Sequence, residues 1–85
     1  MDFIIEENRI YSLNAKNDII AEITFEEKEK GIYNINHTFV DEILRGQKIG
    51  KKLVEMAIDE IKKKNGKVEA TCSYARHYLE KHHIG

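Results

Sequence analysis

The apolar residues of this chain change their period part-way along it, and that change divides what can be strand from what can be helix. From Ile49 onward, Leu53, Ala57 and Ile61 recur every four residues, and Val54 and Ile58 widen the same stripe. Lys51, Lys52, Glu55, Asp59 and Lys62 fall largely on the other side. The pattern predicts an amphipathic helix from about Gln47 to Lys64. Asp59 with Lys63 and Glu60 with Lys64 are acid-before-base pairs at the spacing that supports a helix. Asn65-Gly66 ends it, because both residues tolerate the left-handed conformation of a C-terminal cap.

Before that helix the period is two. Phe3-Ile4-Ile5 is a short apolar run, Asn8 marks a turn, and Arg9 to Leu13 alternates polar with apolar. After a turn over Asn14 to Asn17, Ile19 to Phe25 puts Ala21, Ile23 and Phe25 on one face. Glu26 to Lys30 reads as a charged turn closed by Gly31, and Ile32 to Val40 as the next strand. Short turns between these segments predict an antiparallel meander. Beyond the long helix, Val68, Ala70 and Cys72 alternate, and Ser73 is placed to cap a last helix from Tyr74 to about His82. The expected fold is α+β: a mixed sheet made of the meander, a strand-helix-strand crossover and a short C-terminal helix. The crossover makes the strands ending at Val40 and Cys72 parallel, with a right-handed connection.

Size and charge narrow the function. A chain of 85 residues suits one compact domain, 1–85, that buries roughly 60–65% of its unfolded surface. The 15 acidic and 14 basic residues nearly cancel, so no global field recruits nucleic acid or anionic lipid, and neither is expected as a partner. The one cysteine, Cys72, forms no internal disulfide and no metal-type cysteine pair. His82-His83 lacks a carboxylate or cysteine partner, so no metal is expected. No leader-like segment opens the chain, and no stretch approaches the roughly 18 apolar residues of a membrane span. These features together predict a cytoplasmic protein without a membrane partner.

The segment Val40 to Gly50 joins a strand to the amphipathic helix. A helix N-terminus presents unpaired N–H groups and partial positive charge, which suits an anion. Gly46 and Gly50 flank that start, and Arg45, Lys48, Lys51 and Lys52 surround it with cations. By spacing alone, the alternative is a helix start with ordinary solvated lysines.

Arg45-Gly46-Gln47-Lys48-Ile49-Gly50 resembles the pyrophosphate-binding loop of the GNAT superfamily of N-acetyltransferases, Gln/Arg-x-x-Gly-x-Gly/Ala. Arg45 and Gly50 match the first and last positions, and Lys48 replaces the middle glycine. His37-Thr38-Phe39-Val40 and Cys72-Ser73-Tyr74 extend the likeness to the short YjdJ-like or NATD-type branch. The resemblance implies a GNAT-like sheet whose two parallel strands splay to hold acetyl-CoA as cosubstrate. It implies pantetheine against the backbone of Thr38, Phe39 and Val40. The diphosphate would lie on the amides of Arg45, Gly46, Gln47, Lys48, Ile49 and Gly50, with Lys51 beside it.

Acetyl transfer to an amine needs an oriented thioester, an unprotonated amine and a proton for the leaving thiolate. Candidates are Cys72, Tyr74 and His37. Cys72 reads as nucleophile, as acid to the CoA sulfur, or as a small core side chain beside Val68 and Ala70. Tyr74 and Tyr78, one turn apart, read as packing, while the resemblance implies that a tyrosine in this region donates a proton to the CoA thiolate; His37 reads as a base or as a hydrogen-bonded structural histidine. The short Ile5-to-Arg9 link leaves no room for the helices that wall the acceptor site in typical GNAT domains, so an open site for a protein, peptide or small amine is expected. A CoA-binding module without turnover fits the same residues. A nucleic-acid-binding domain using the helix lysines is opposed by Glu55, Asp59 and Glu60 among them.

Overall fold

The computed structural model describes residues 1–83, so residues 84 and 85 of the expected domain lie outside it. Strands β1 (Ile4–Glu6), β2 (Arg9–Leu13), β3 (Ile19–Glu29), β4 (Ile32–Val40) and β5 (Lys67–Ala70) form one sheet in chain order. The first four pair antiparallel, and β5 pairs parallel to β4 after the crossover helix α1 (Ile49–Lys63). A second helix, α2 (Ser73–Lys81), follows β5. The architecture is the mixed α+β arrangement that the two periods predict.

Alternation fixes which face carries the core. Ile10, Ala21, Ile23, Phe25 and Ile35 turn to one side of the sheet and meet Ile49, Leu53, Val54, Ala57, Ile58 and Ile61 of α1. Ala75 and Leu79 of α2 and Val68 of β5 join the same cluster. The only two buried polar residues among those described are Ser12 and Asn34, and both are bonded. Ser12 Oγ donates to the carbonyl of Asp2 at 2.6 Å, and Asn34 Nδ2 donates to Thr71 Oγ1 at 3.0 Å. The second bond ties β4 to the chain just beyond β5.

Several boundaries differ from the sequence expectation. The charged stretch Glu26–Glu29 is strand rather than turn, paired to Ile32–Asn34 with an irregularity at Lys28. Ladder bonds require backbone groups and not apolar side chains, so a polar hairpin arm leaves no hydropathy signature. Helix α1 starts at Ile49 rather than Gln47 and ends in a Schellman arrangement. In that cap Asn65 takes φ +58°, its N–H donates to the Lys62 carbonyl, and the Gly66 N–H donates to the Ile61 carbonyl. Lys63 pairs with Glu60 at 3.0 Å instead of Asp59, and Lys64 reaches the Glu7 carbonyl. Strand β5 stops at Ala70, not Cys72, and Cys72 rather than Ser73 is the N-cap of α2.

Leu53 is fully buried at the centre of the α1–sheet contact. Leu53→Ala should lower unfolding free energy by about 2–5 kcal/mol in urea titration. Leu53→Asp should leave no folded population, because it sets an unpaired charge in a small core. Near-normal melting of the Asp variant would contradict this packing.

Candidate functional site

Strands β4 and β5 part company at Ile35. They pair in register only from Ile32–Lys67 to Ile35–Ala70. The Ile35 carbonyl then accepts from the N–H groups of both Thr71 and Cys72, at 3.1 and 3.2 Å, and the chain turns away into α2. The register on the β3 side shifts at the same place: Thr24 faces His37 while Phe25 faces Ile35, leaving Asn36 as an extra residue in β4. A bulge bends its strand and raises the local twist, so β4 swings away from β5 where pairing ends. From Asn36 to Val40 the β5-side edge of β4 has no strand partner.

The chain leaving β4 runs straight into the helix start. Asp41 Oδ1 accepts from the Ile43 N–H at 3.0 Å and caps a single 3₁₀ turn, Glu42–Leu44. Leu44 is the buried anchor of that turn. Gly46 takes φ +85° and Lys48 φ +57°, so both residues lie in the left-handed region. That region suits glycine and strains lysine. The position where the resembling loop carries glycine is therefore one whose backbone favours glycine, and Lys48 occupies it at the expense of strain.

Helix α1 begins without a cap. Lys48 holds the N-cap position, and an ammonium has no lone pair to offer an N–H. The first turn contains no acidic residue. The amides of Gly46, Lys48, Ile49, Gly50 and Lys51 find no acceptor among the described residues. Lysines 48, 51 and 52 stand at the same end. Cations there oppose the helix dipole, each by about 0.3–1 kcal/mol. The helix start is thus built with donors and positive charge in excess.

A pocket of about 310 Å³ opens over this start, between the free edge of β4 and the loop. Of the residues singled out from sequence it gathers Thr38, Val40, Arg45, Gly46, Lys48, Ile49, Gly50 and Tyr74. Leu44 also lines it and was not singled out; an apolar side chain inside a charged loop is the signal that marks it. Gln47 and Phe39 are exposed and do not line this pocket, and Lys51 lines the groove beside it. Arg45 is an exposed surface cation, 3.4 Å from Glu42. A Cβ on Gly50 would come within 2.9 Å of the Tyr74 ring. Gly50 thus leaves the space that the half-exposed Tyr74 ring uses.

The three candidates for chemistry are not one cluster. Thr38 faces Ile23 across the β3–β4 ladder and shares its core side of the sheet. Cys72 Sγ donates to Thr38 Oγ1 at 3.4 Å and bridges the gap between the splayed strands. Burial pushes the Cys72 thiol up, but the Thr38 hydroxyl and the amides of Ala75, Tyr74 and Thr38 outweigh burial and hold it below the usual thiol range. The thiol makes no formed cap bond to α2, so the α2 amides act as nearby dipoles. His37 faces Thr24 on the opposite, bare side of the sheet, with Nε2 4.0 Å from Glu22 Oε1. Arg9 pairs with Glu22 at 2.7 Å on that face.

The excess positive charge yields a stability test. Lys51→Glu puts a carboxylate at the third helical position, where it neutralises the dipole. It should stabilise the unliganded protein by about 1 kcal/mol, a rise in Tm of about 4–8 °C for a domain this small. A fall in Tm would mean that Lys51 supports the fold rather than a ligand.

Residues 10–84 match the family model of the GCN5-related N-acetyl-transferases. A solution structure of a GCN5-like protein from Staphylococcus aureus is 37% identical and superposes with a TM-score of 0.79, over 95% of this chain and 79% of that one. An IAA acetyltransferase from Bacillus cereus is 22% identical with a TM-score of 0.67, over 87% of this chain and 51% of that one. GCN5 from Tetrahymena is 18% identical with a TM-score of 0.66, over 86% and 48%. This chain therefore spans only about half the length of the last two, whose likeness is one of fold. No curated protein matches. A match that runs from the second strand to the C-terminal end, with a solved relative over a third identical, makes this chain a member of the GCN5-related N-acetyltransferase family.

Proposed function

We propose that the protein binds acetyl-CoA in the splay between β4 and β5 and transfers the acetyl group to an amine. The observation that carries this reading is the coincidence of an unpartnered strand edge and an uncapped, lysine-rich helix start on one pocket. The amides of Gly46 and Lys48–Lys51 have the donors a diphosphate accepts, and Lys48 and Lys51 add charge. The free edge of β4 from Asn36 to Val40 has backbone groups available to the amides of pantetheine. That orientation runs the thioester toward Thr38 and Cys72, where the strands diverge.

Binding along the β4 edge holds the thioester and lowers the entropy of attack. The acceptor amine attacks the carbonyl directly, the C–S bond of the thioester breaks, and the thiol of Cys72 supplies a proton to the departing CoA thiolate; the proton that the amine nitrogen loses passes to solvent, from which the Cys72 thiolate is reprotonated. A thiol held below its usual range is the better donor so long as it remains protonated at the working pH. The bare sheet face around His37 and Glu22 leaves an open approach for a protein, peptide or small amine.

A second reading, CoA binding without turnover, has its own support. The residues lining the pocket include no carboxylate and no histidine, and His37 lies across the sheet from Cys72. A turnover assay separates the two. Wild-type protein with acetyl-CoA and a panel of lysine peptides and polyamines should release free CoA. Cys72→Ala should slow release about 10–100-fold, on the order of 1.4–2.7 kcal/mol of barrier, with CoA affinity and Tm unchanged. An acetylated Cys72 trapped by mass spectrometry, with all transfer lost in the Ala variant, would replace proton donation by a covalent step. CoA binding by calorimetry with no release for any amine would favour the binding module.

A further inference from the structure

The turn that carries Cys72 hangs from β4 by a single backbone atom. The ladder between β4 and β5 ends at the Ile35–Ala70 pair, and the N–H groups of Thr71 and Cys72 then share the Ile35 carbonyl. The approach angle at a carbonyl oxygen is broadly distributed. One acceptor therefore fixes the distance of the turn from β4 but does little to fix its rotation about that oxygen.

Two side-chain contacts from β4 supply the missing constraint. Alternation puts Asn34 on the face away from α1, where its Nδ2 donates to Thr71 Oγ1 at 3.0 Å. On the core side, Cys72 Sγ donates to Thr38 Oγ1 at 3.4 Å. The contacts flank Ile35 along β4 and catch consecutive residues of the turn. They are unequal. A thiol is a weak donor, and Thr38 lies beyond the bulge, where β4 has swung away. Asn34 is only 6% exposed, so packing fixes its amide and losing the partner is costly. Thr71 is exposed. The buried amide thus holds the exposed hydroxyl, and the turn with it.

Where the turn sits decides what surrounds the sulfur. Burial pushes the Cys72 thiol up, and the Thr38 hydroxyl with the amides of Ala75, Tyr74 and Thr38 brings it below the usual thiol range. No charged side chain takes part in that balance among the described residues. Thr38 belongs to β4, and Tyr74 and Ala75 belong to α2. The sulfur meets both elements only while the turn is held between them.

We propose that Asn34 is a positioning residue: through Thr71 it holds the turn so that the Cys72 thiol faces Thr38 and the open edge of β4. The consequence for acetyl transfer rests on Cys72 acting as proton donor to the CoA thiolate, whereas the placement of the thiol does not.

Cys72 is the one cysteine of the chain, so alkylation by iodoacetamide reports on it alone. The test measures alkylation rate against pH for wild type, Asn34→Ala, Thr71→Val and Thr71→Ser, with a melting curve and CoA calorimetry for each. Thr71→Val removes the hydroxyl at an exposed position and leaves the core intact. Asn34→Ala and Thr71→Val should move the midpoint of the profile up toward the ordinary thiol range and slow alkylation at pH 7 about threefold. Thr71→Ser keeps the hydroxyl and should keep the wild-type midpoint. In the two variants without the bond, CoA release from acetyl-CoA and an amine should fall about tenfold at unchanged CoA affinity. A wild-type midpoint in both of them would overturn the proposal even if they melt early, because Asn34 would then support the fold alone. So would a Thr71→Ser profile that matches Thr71→Val. A raised midpoint with CoA release undiminished, or with none from the wild type, would support the placement of the thiol and overturn its part in transfer instead.

Discussion

The unsatisfied start of α1 is the constraint that sets the pocket of this small fold apart from a plain sheet-and-helix sandwich. A helix ordinarily silences its first amides with a serine, threonine or aspartate cap and places acid in its first turn. Here a lysine sits at the cap in a left-handed conformation, and further lysines follow. Several small unfavourable terms are thereby concentrated at one point. A chain of 85 residues has a modest core with which to absorb them. The arrangement makes sense if a multiply charged anion supplies the missing acceptors.

The strand geometry sets an unpartnered strand edge beside that helix start. The extra residue Asn36 and the doubly bonded Ile35 carbonyl act at the same level of the sheet. One bends β4 outward and the other ends its pairing with β5. The Asn34–Thr71 bond holds the two strands together immediately before they diverge. The open edge, the Cys72–Thr38 contact and the helix start thus lie along one path, set by backbone bonding rather than by any single reactive side chain.

Much of this was legible in the residues. The four-residue recurrence from Ile49 to Ile61 gave α1, and alternation gave β2, β3 and β4, because burial on one face leaves a periodic trace. The loop was legible from Arg45, Gly46 and Gly50, although its left-handed Lys48 was not, since lysine does not advertise that conformation. The polar arm Glu26–Glu29 was missed as strand because its ladder needs no apolar side chain. The bulge at Asn36 was illegible for a related reason: it is a property of two paired strands, and no local pattern encodes it. That register decides which side each β4 residue faces, and so it separates His37 from Cys72. The Cys72–Thr38 contact joins residues far apart in sequence and depends on the same splay.

The central claim concerns particular amides, and they can be observed one by one. In an ¹⁵N-resolved NMR titration of the whole chain with CoA, the backbone signals of Gly46, Lys48, Ile49, Gly50 and Lys51 should move furthest and saturate together. The amides of Asn36 to Val40 should move with them. Saturable CoA binding that leaves the Gly46 to Lys51 amides unmoved, and shifts signals elsewhere on the protein instead, would contradict the assignment of the α1 start as the anion site.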